Sequence, residues 1–230
     1  AAVDASLAPA RGATSVAFEF AGNAGNEGSV SPRTIDPDVT STTIYRGSGL
    51  TNTSARADSF DNYPVGNAWK TTADDAEAAR QFDTFTITPV LGHTLSLTTL
   101  TYAFFSQNGT SGYGDPAFNS SASYSTDGVN FTPILTTNNL SATLQGTQVD
   151  SATATADLSG IADLQNFFRP LTIHILLYHI GGYQDGGIGR VAGDDLTLDG
   201  TFDAPAVPEP GSLALLALGA GALLARRKRA

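Results

Sequence analysis

The chain has 230 residues, with 22 acidic and 12 basic side chains, a net charge of −10 at pH 7, and neither cysteine nor methionine. Four of the basic residues stand together at 226–229 and all but one of the acids precede residue 208. The body is therefore strongly acidic and unsuited to nucleic acid, whose binding needs clustered Lys and Arg, and the lack of cysteine excludes disulfides, thiolate metal sites and cysteine nucleophiles.

Residues 1–13 open on "AAVDASLAPA" and read as a flexible segment left after a signal peptide is removed. Residues 14–203 show short runs rich in Thr, Val, Ile, Phe and Tyr between Gly, Asn, Asp and Ser turns, the pattern of an all-β domain. "TSVAFEF" places Val16, Phe18 and Phe20 on one face. "TADDAEAAR" (72–80) is the one helix-prone piece, with Asp74, Asp75 and Glu77 in its first turn, where the helix dipole favours them. "QFDTFTITPV" is a strand. In "HTLSLTTLTYAFF", Leu95 and Leu97 share one parity while Leu100, Tyr102 and Phe104 take the other. That slip at Thr98–Thr99 predicts a bulge or a sandwich corner.

In "FNSSASYSTDGVNFTPI", Phe118, Ser120, Ala122 and Tyr124 alternate. Asp127-Gly128 supplies a tight turn, and Val129 and Phe131 resume the alternation, as in a hairpin. "LTIHILLYHI" is nearly all apolar, as expected of a central strand covered on both faces. "DDLTLDGTF" closes the domain with Leu196, Leu198 and Phe202 on one side. Strands at this spacing predict a two-sheet antiparallel β-sandwich, jelly-roll-like, over 14–203.

A Pro-rich linker (204–212) follows, then an all-Leu/Ala/Gly run from Leu213 to Ala225 and a basic end at 226–230. With Gly211 and Ser212 the apolar run has 15 residues. At ~1.5 Å per residue it makes a helix of about 22 Å, short against a hydrocarbon core of about 30 Å. It has no polar face and reads as a short C-terminal transmembrane helix. Arg226, Arg227, Lys228 and Arg229 would stay on the cytoplasmic side and orient it, leaving the acidic body outside.

No motif for chemistry survives inspection. "GTSGYG" has Tyr113 where the nucleophile elbow needs its second glycine, and His174 and His179, five apart on one strand, point to opposite faces. His93 reads as a solvated turn residue. No carboxylate pair sits in a defined motif, so the catalytic set is empty and the chain reads as a non-enzyme. The alternative is a secreted carbohydrate-active hydrolase whose carboxylate site no motif marks. Tyr63 and Trp69 in "DNYPVGNAW", Tyr113 in "GYGD" and Tyr183 in "GGYQDGG" are loop aromatics able to stack on sugar rings. The competing reading of Trp69 is a lid over the core edge.

"VPEPGSLALLALGAGALLARRKR" resembles the PEP-CTERM sorting signal of exported bacterial proteins: a Pro-Glu-Pro motif, a short membrane helix and a basic end. The resemblance implies recognition of Pro208, Glu209 and Pro210 by an exosortase-type membrane sorting enzyme. It also implies transient insertion in the inner membrane, cleavage near the motif, and transfer to the cell surface or extracellular matrix and its exopolysaccharide. "ASYSTDGVNFTPI" is similar to a hairpin of galactose-binding-like jelly-roll modules. Many such modules hold a calcium ion between first and last strands, for which Glu19 and Asp194 or Asp195 are the matching carboxylates. No other cofactor is indicated. The expectation is a non-catalytic structural or adhesive protein that binds exopolysaccharide.

Overall fold

The computed structural model describes residues 11–52, 57–66, 69–108, 117–140, 149–180, 184–189 and 195–203. Its strands, in chain order, begin with β1 (Arg11–Phe18), β2 (Ser29–Val30), β3 (Thr34–Ile35), β4 (Val39–Ser41) and β5 (Ile44–Arg46). Next come β6 (Leu50–Thr51), β7 (Ser59–Pro64), the helix α1 (Ala73–Ala78), β8 (Phe82–Pro89) and β9 (Thr94–Asn108). The last are β10 (Ala117–Ser125), β11 (Thr132–Leu140), β12 (Val149–Asp157), β13 (Leu171–Ile180), β14 (Gln184–Gly189) and β15 (Leu196–Asp203).

They form two antiparallel sheets. The eight-stranded sheet runs β3-β1-β15-β9-β14-β7-β6, with β12 also on β9; the seven-stranded sheet runs β11-β10-β13-β8-β5-β2, with β4 also on β8. The all-β sandwich read from the sequence is the observed architecture. Its core joins the facing sides of both sheets: Phe18 of β1 meets Phe85 of β8 edge to face, with ring centroids 5.1 Å apart. Phe20 stacks on Phe60 of β7 at 6.0 Å.

The parity slip in β9 is a bulge. Asp199 of β15 pairs with Thr99, but Gly200 pairs with Leu97, leaving Thr98 as the extra residue. Leu95, Leu97, Leu100, Tyr102 and Phe104 all remain buried because the bulge restores the inward parity. Strand β15 alternates as expected. The β10–β11 connection does not. It spans residues 126–131, because the Asp127 carboxylate accepts the amides of Val129 and Asn130 at 2.8 Å each and so caps a wider loop than a two-residue turn. Val129 is 77% exposed at its tip instead of resuming the strand.

One edge of the sandwich is closed by polar groups. Arg46 of β5 donates from Nε to the Asp61 carbonyl of β7 (2.8 Å), from Nη2 to the carbonyls of Asp61 and Gly25 (3.1 Å to Gly25), and from Nη1 to the Glu27 carbonyl. Its guanidinium also lies 3.7 Å from the centre of the Phe60 ring. Since β5 belongs to one sheet and β7 to the other, this side chain staples the two together. Nearby, Asn62 Nδ2 of β7 donates to Asp83 Oδ2 of β8 at 2.7 Å, while Asp83 Oδ1 has no hydrogen-bond partner.

Burial pushes the Asp83 carboxyl up to about 7, against the opposing pull of Arg46 and Asn62. Between the ordinary aspartate value and about 7 the folded protein keeps a proton that the unfolded chain has released. The contribution of this group to stability is therefore largest in acid and falls as pH rises through that window, by a few kcal/mol at most. Asp83→Asn keeps the shape and removes the titration. In urea melts from pH 4 to 8, the stability of the parent relative to Asp83→Asn is expected to fall with pH up to about 7 and then level; a difference that rises with pH would contradict the assignment.

Candidate functional site

The outer face of the seven-stranded sheet carries a broad concavity. In β8 the inward residues are Asp83, Phe85 and Ile87, so Phe82, Thr84 and Thr86 face outward. In β13, Ile173, Ile175 and Leu177 enter the core, which turns Thr172, His174, Leu176 and Tyr178 outward. Part of this face is covered. Ala76 of α1 packs on Phe82, Leu176 and Tyr178 as a second, smaller apolar cluster. The helix is short but well started: Thr72 Oγ1 accepts the Asp75 amide at 3.1 Å.

What remains open is a groove of about 730 Å³, within the range of ordinary ligand sites. Its floor is Thr84, Thr86, Thr172 and His174; Tyr45 and Arg46 flank it on β5, and Glu77, Arg80 and Phe131 on the covering segments. Thr86 and Thr172 share a hydroxyl contact at 3.0 Å, whereas the buried Thr84 Oγ1 has no partner. Tyr45 is 46% exposed.

His174 organises the groove. Its Nδ1–H donates to Glu77 Oε1 at 2.8 Å, since an ionised carboxylate can only accept. Its ring lies between Phe82 (centroids 3.6 Å apart, 13° between planes) and Phe131 (3.7 Å, 15°). The other Glu77 oxygen accepts Ser123 Oγ at 3.1 Å. A serine hydrolase needs the serine on the histidine, and here it is on the carboxylate. This arrangement holds a helix and a loop on a sheet; it does not activate a nucleophile.

The residues singled out from the sequence lie elsewhere. Trp69 is only 8% exposed and its ring is part of the inter-sheet core, so it offers no stacking face and acts as the core lid. Tyr63 is half-buried on β7 of the eight-stranded sheet and does not line the groove. Tyr113 and Tyr183 lie outside the described residues. Glu19 is ion-paired with Arg33, and Asp195 Oδ2 accepts the Phe20 amide at 2.7 Å. Asp194 lies outside the described residues. No group of three or more His, Asp or Glu that could hold a metal occurs among the described residues. His93 is half-buried beside Asp38 (3.8 Å), not free in solvent.

Pro208, Glu209, Pro210 and the basic end at Arg226–Arg229 lie outside the described residues, as does the apolar run. Among the described residues no helix is long and apolar enough to cross a membrane. Residues 206–229 match the PEP-CTERM protein-sorting motif. The chain carries that sorting signal. It is the mark of an exported protein, and it implies processing by exosortase-type machinery.

No curated protein matches the chain. Among solved structures, a carbohydrate-binding module specific for non-crystalline cellulose is similar at 11% identity and a TM-score of 0.30, over 80% of this chain and 94% of that one. The N-terminal cellulose-binding domain of β-1,4-glucanase C from Cellulomonas fimi is similar at 12% identity and a TM-score of 0.27, over 72% of this chain and 89% of that one. At such scores neither likeness identifies a binding site, and the groove has to be read from its own residues.

One wall of the groove depends on two glycines. Gly47 and Gly49 donate their amides to the carbonyls of Phe82 (2.7 Å) and Arg80 (3.0 Å), bringing the β5–β6 turn against the end of α1. A Cβ on Gly49 would overlap the Ala79 carbonyl oxygen and sit 2.8 Å from the Arg80 carbonyl carbon. Gly49→Ala is expected to lose about 1–3 kcal/mol in urea denaturation. Gly160→Ala, where a Cβ meets nothing within 4 Å, is expected to stay within about 0.5 kcal/mol of the parent. Equal stabilities for the two variants would contradict the packing described.

Proposed function

We propose that this exported protein is a non-catalytic structural or adhesive component of the cell surface or extracellular matrix, and that its sandwich domain holds a neutral polysaccharide in the groove of the seven-stranded sheet. The observation that carries this reading is the floor of threonine hydroxyls, Thr84, Thr86 and Thr172, flanked by the exposed ring of Tyr45 and by Phe131. A sugar unit has an apolar C–H face and a rim of hydroxyls. Tyr45 suits the face, and the threonines suit the rim, since each hydroxyl can both donate and accept. The acidic chain disfavours strongly anionic polymers.

A hydrolase is the competing reading, and the Glu77–His174 pair is its one attraction. Glycoside hydrolysis needs two carboxyl groups facing each other across the scissile bond. The residues lining the groove include a single carboxylate, Glu77, and both of its oxygens are engaged. This supports binding without turnover.

The sorting signal supplies the rest of the reading. The apolar run from Leu213 to Ala225 holds the chain in the inner membrane with Arg226–Arg229 on the cytoplasmic side. An exosortase-type enzyme then cuts near Pro208–Pro210 and passes the body outward.

Affinity electrophoresis of the full chain through soluble β-glucan, galactan and mannan tests the groove. Retardation by at least one polymer is expected, weakened about tenfold by Tyr45→Ala and unchanged by Tyr63→Ala. Retardation by none of the three, or retention unaffected by Tyr45→Ala, would contradict it. Mass spectrometry of protein recovered from the medium is expected to show a C-terminus near residues 208–210. A released form ending at Ala230 would contradict the processing.

A further inference from the structure

Beside the main groove is a second, smaller pocket of about 150 Å³ between α1, β10 and β11. The two share Glu77 and Phe131 as a common boundary. This pocket is too small for a sugar chain, being about half the lower limit of ordinary ligand sites. It equals the space of about five waters, enough for a substituent of three or four heavy atoms.

Its lining is specific. Ala122, Pro133, Leu135 and Leu176 make it mainly apolar. Among its lining residues, a buried polar atom without a partner is Ser121 Oγ, on a residue 4% exposed, and a buried hydroxyl left unbonded costs stability unless something arrives to meet it. The pocket exists because β11 is irregular. Against β10 its register jumps from Asn138 opposite Ser120 to Leu135 opposite Ala122, then to Pro133 opposite Ser123, so two extra residues are accommodated on β11. Bulges of this kind bend a strand, and β11 is the last strand of its sheet, where a proline is tolerated.

We propose that this pocket receives the acetyl group of an acetylated sugar bound in the neighbouring groove. The inference rests on the groove reading above and adds the ligand class. A methyl group matches the apolar lining, and a carbonyl oxygen one bond away is the acceptor Ser121 Oγ–H lacks. Asp74 and Glu77 also line the pocket, and their carboxylates can only accept. An N-acetyl group brings an N–H donor for them as well; an O-acetyl ester brings the methyl and carbonyl alone.

Calorimetric titration of the full chain tests this with two matched pairs. The first is the tetramer of N-acetylglucosamine against the glucosamine tetramer. The second is O-acetylated xylo-oligosaccharide against the same material after alkaline deacetylation. Glucosamine is cationic and the protein acidic, so charge alone would favour the deacetylated member of the first pair; the second pair is neutral throughout. In at least one pair the acetylated member is expected to bind about tenfold tighter. A preference confined to the N-acetyl pair places the amide N–H on Asp74 or Glu77, and one seen in both pairs assigns recognition to Ser121 and the apolar lining. Ser121→Ala is expected to cut the preference several-fold while affinity for the deacetylated forms is kept. Equal binding within both pairs, with Tyr45→Ala weakening all members, would overturn the acetyl pocket and leave the groove. Binding of none of the four would overturn both.

Discussion

The His174 imidazole is gripped on three sides by groups from separate parts of the chain. Phe82 lies on the neighbouring strand, Phe131 in the β10–β11 loop, and Glu77 on the helix between β7 and β8. The seven-stranded sheet has an apolar core on its inner face and a mixed outer face that must be partly covered and partly wet. The helix covers the apolar part, Phe82, Leu176 and Tyr178. The loop reaches the polar part only where the ring stack holds it. The strip of threonines left between these attachments is the groove, so its width is set by how the helix and the loop are pinned to one histidine.

A second constraint acts at the edge of the sandwich beside the groove. Among the described residues Arg46 reaches backbone carbonyls as its hydrogen-bond acceptors, and burial lowers its basicity while Asp83, Asp61 and Glu27 oppose that. Asp83 pays heavily in desolvation, being fully enclosed with a single hydrogen bond from Asn62. Buried groups of this kind add little net stability, but stripping one of its partners costs a great deal. A slipped β5 would leave a guanidinium inside the protein with no carbonyls around it. Tyr45, the residue before Arg46, is thereby held at the groove's margin.

Much of the sandwich was legible because strand parity is a strict physical signal. Val16 and Phe18, the slip at Thr98, and the alternation of Leu196, Leu198 and Phe202 all followed from which side of a strand meets the core. The groove is legible by the same rule. "DTFTIT" alternates threonine with Phe85 and Ile87, and "LTIHI" sets Thr172 and His174 opposite Ile173 and Ile175, so an outward row of hydroxyls was already written there. Loop position did not decide the fate of Trp69, which is buried because a single large ring near a sheet edge gains more from the core than from solvent. Tyr45 and Phe131 had weaker signals. The first lies in a three-residue strand with no periodicity to read. The second follows Asp127-Gly128, a pair typical of tight turns, whereas here the Asp127 carboxylate builds a wider loop that returns Phe131 to the sheet.

Body and tail have separate physics: an acidic domain with an open hydroxylated groove, and a sorting motif at 206–229 that marks an exported protein. The most direct measurement is nuclear magnetic resonance mapping of the full chain as a soluble neutral oligosaccharide is added. The account expects shift changes concentrated at Tyr45, Thr84, Thr86, Phe131, Thr172 and His174, on one face of one sheet. Changes centred on the eight-stranded sheet around Tyr63, with that outer face undisturbed, would contradict it.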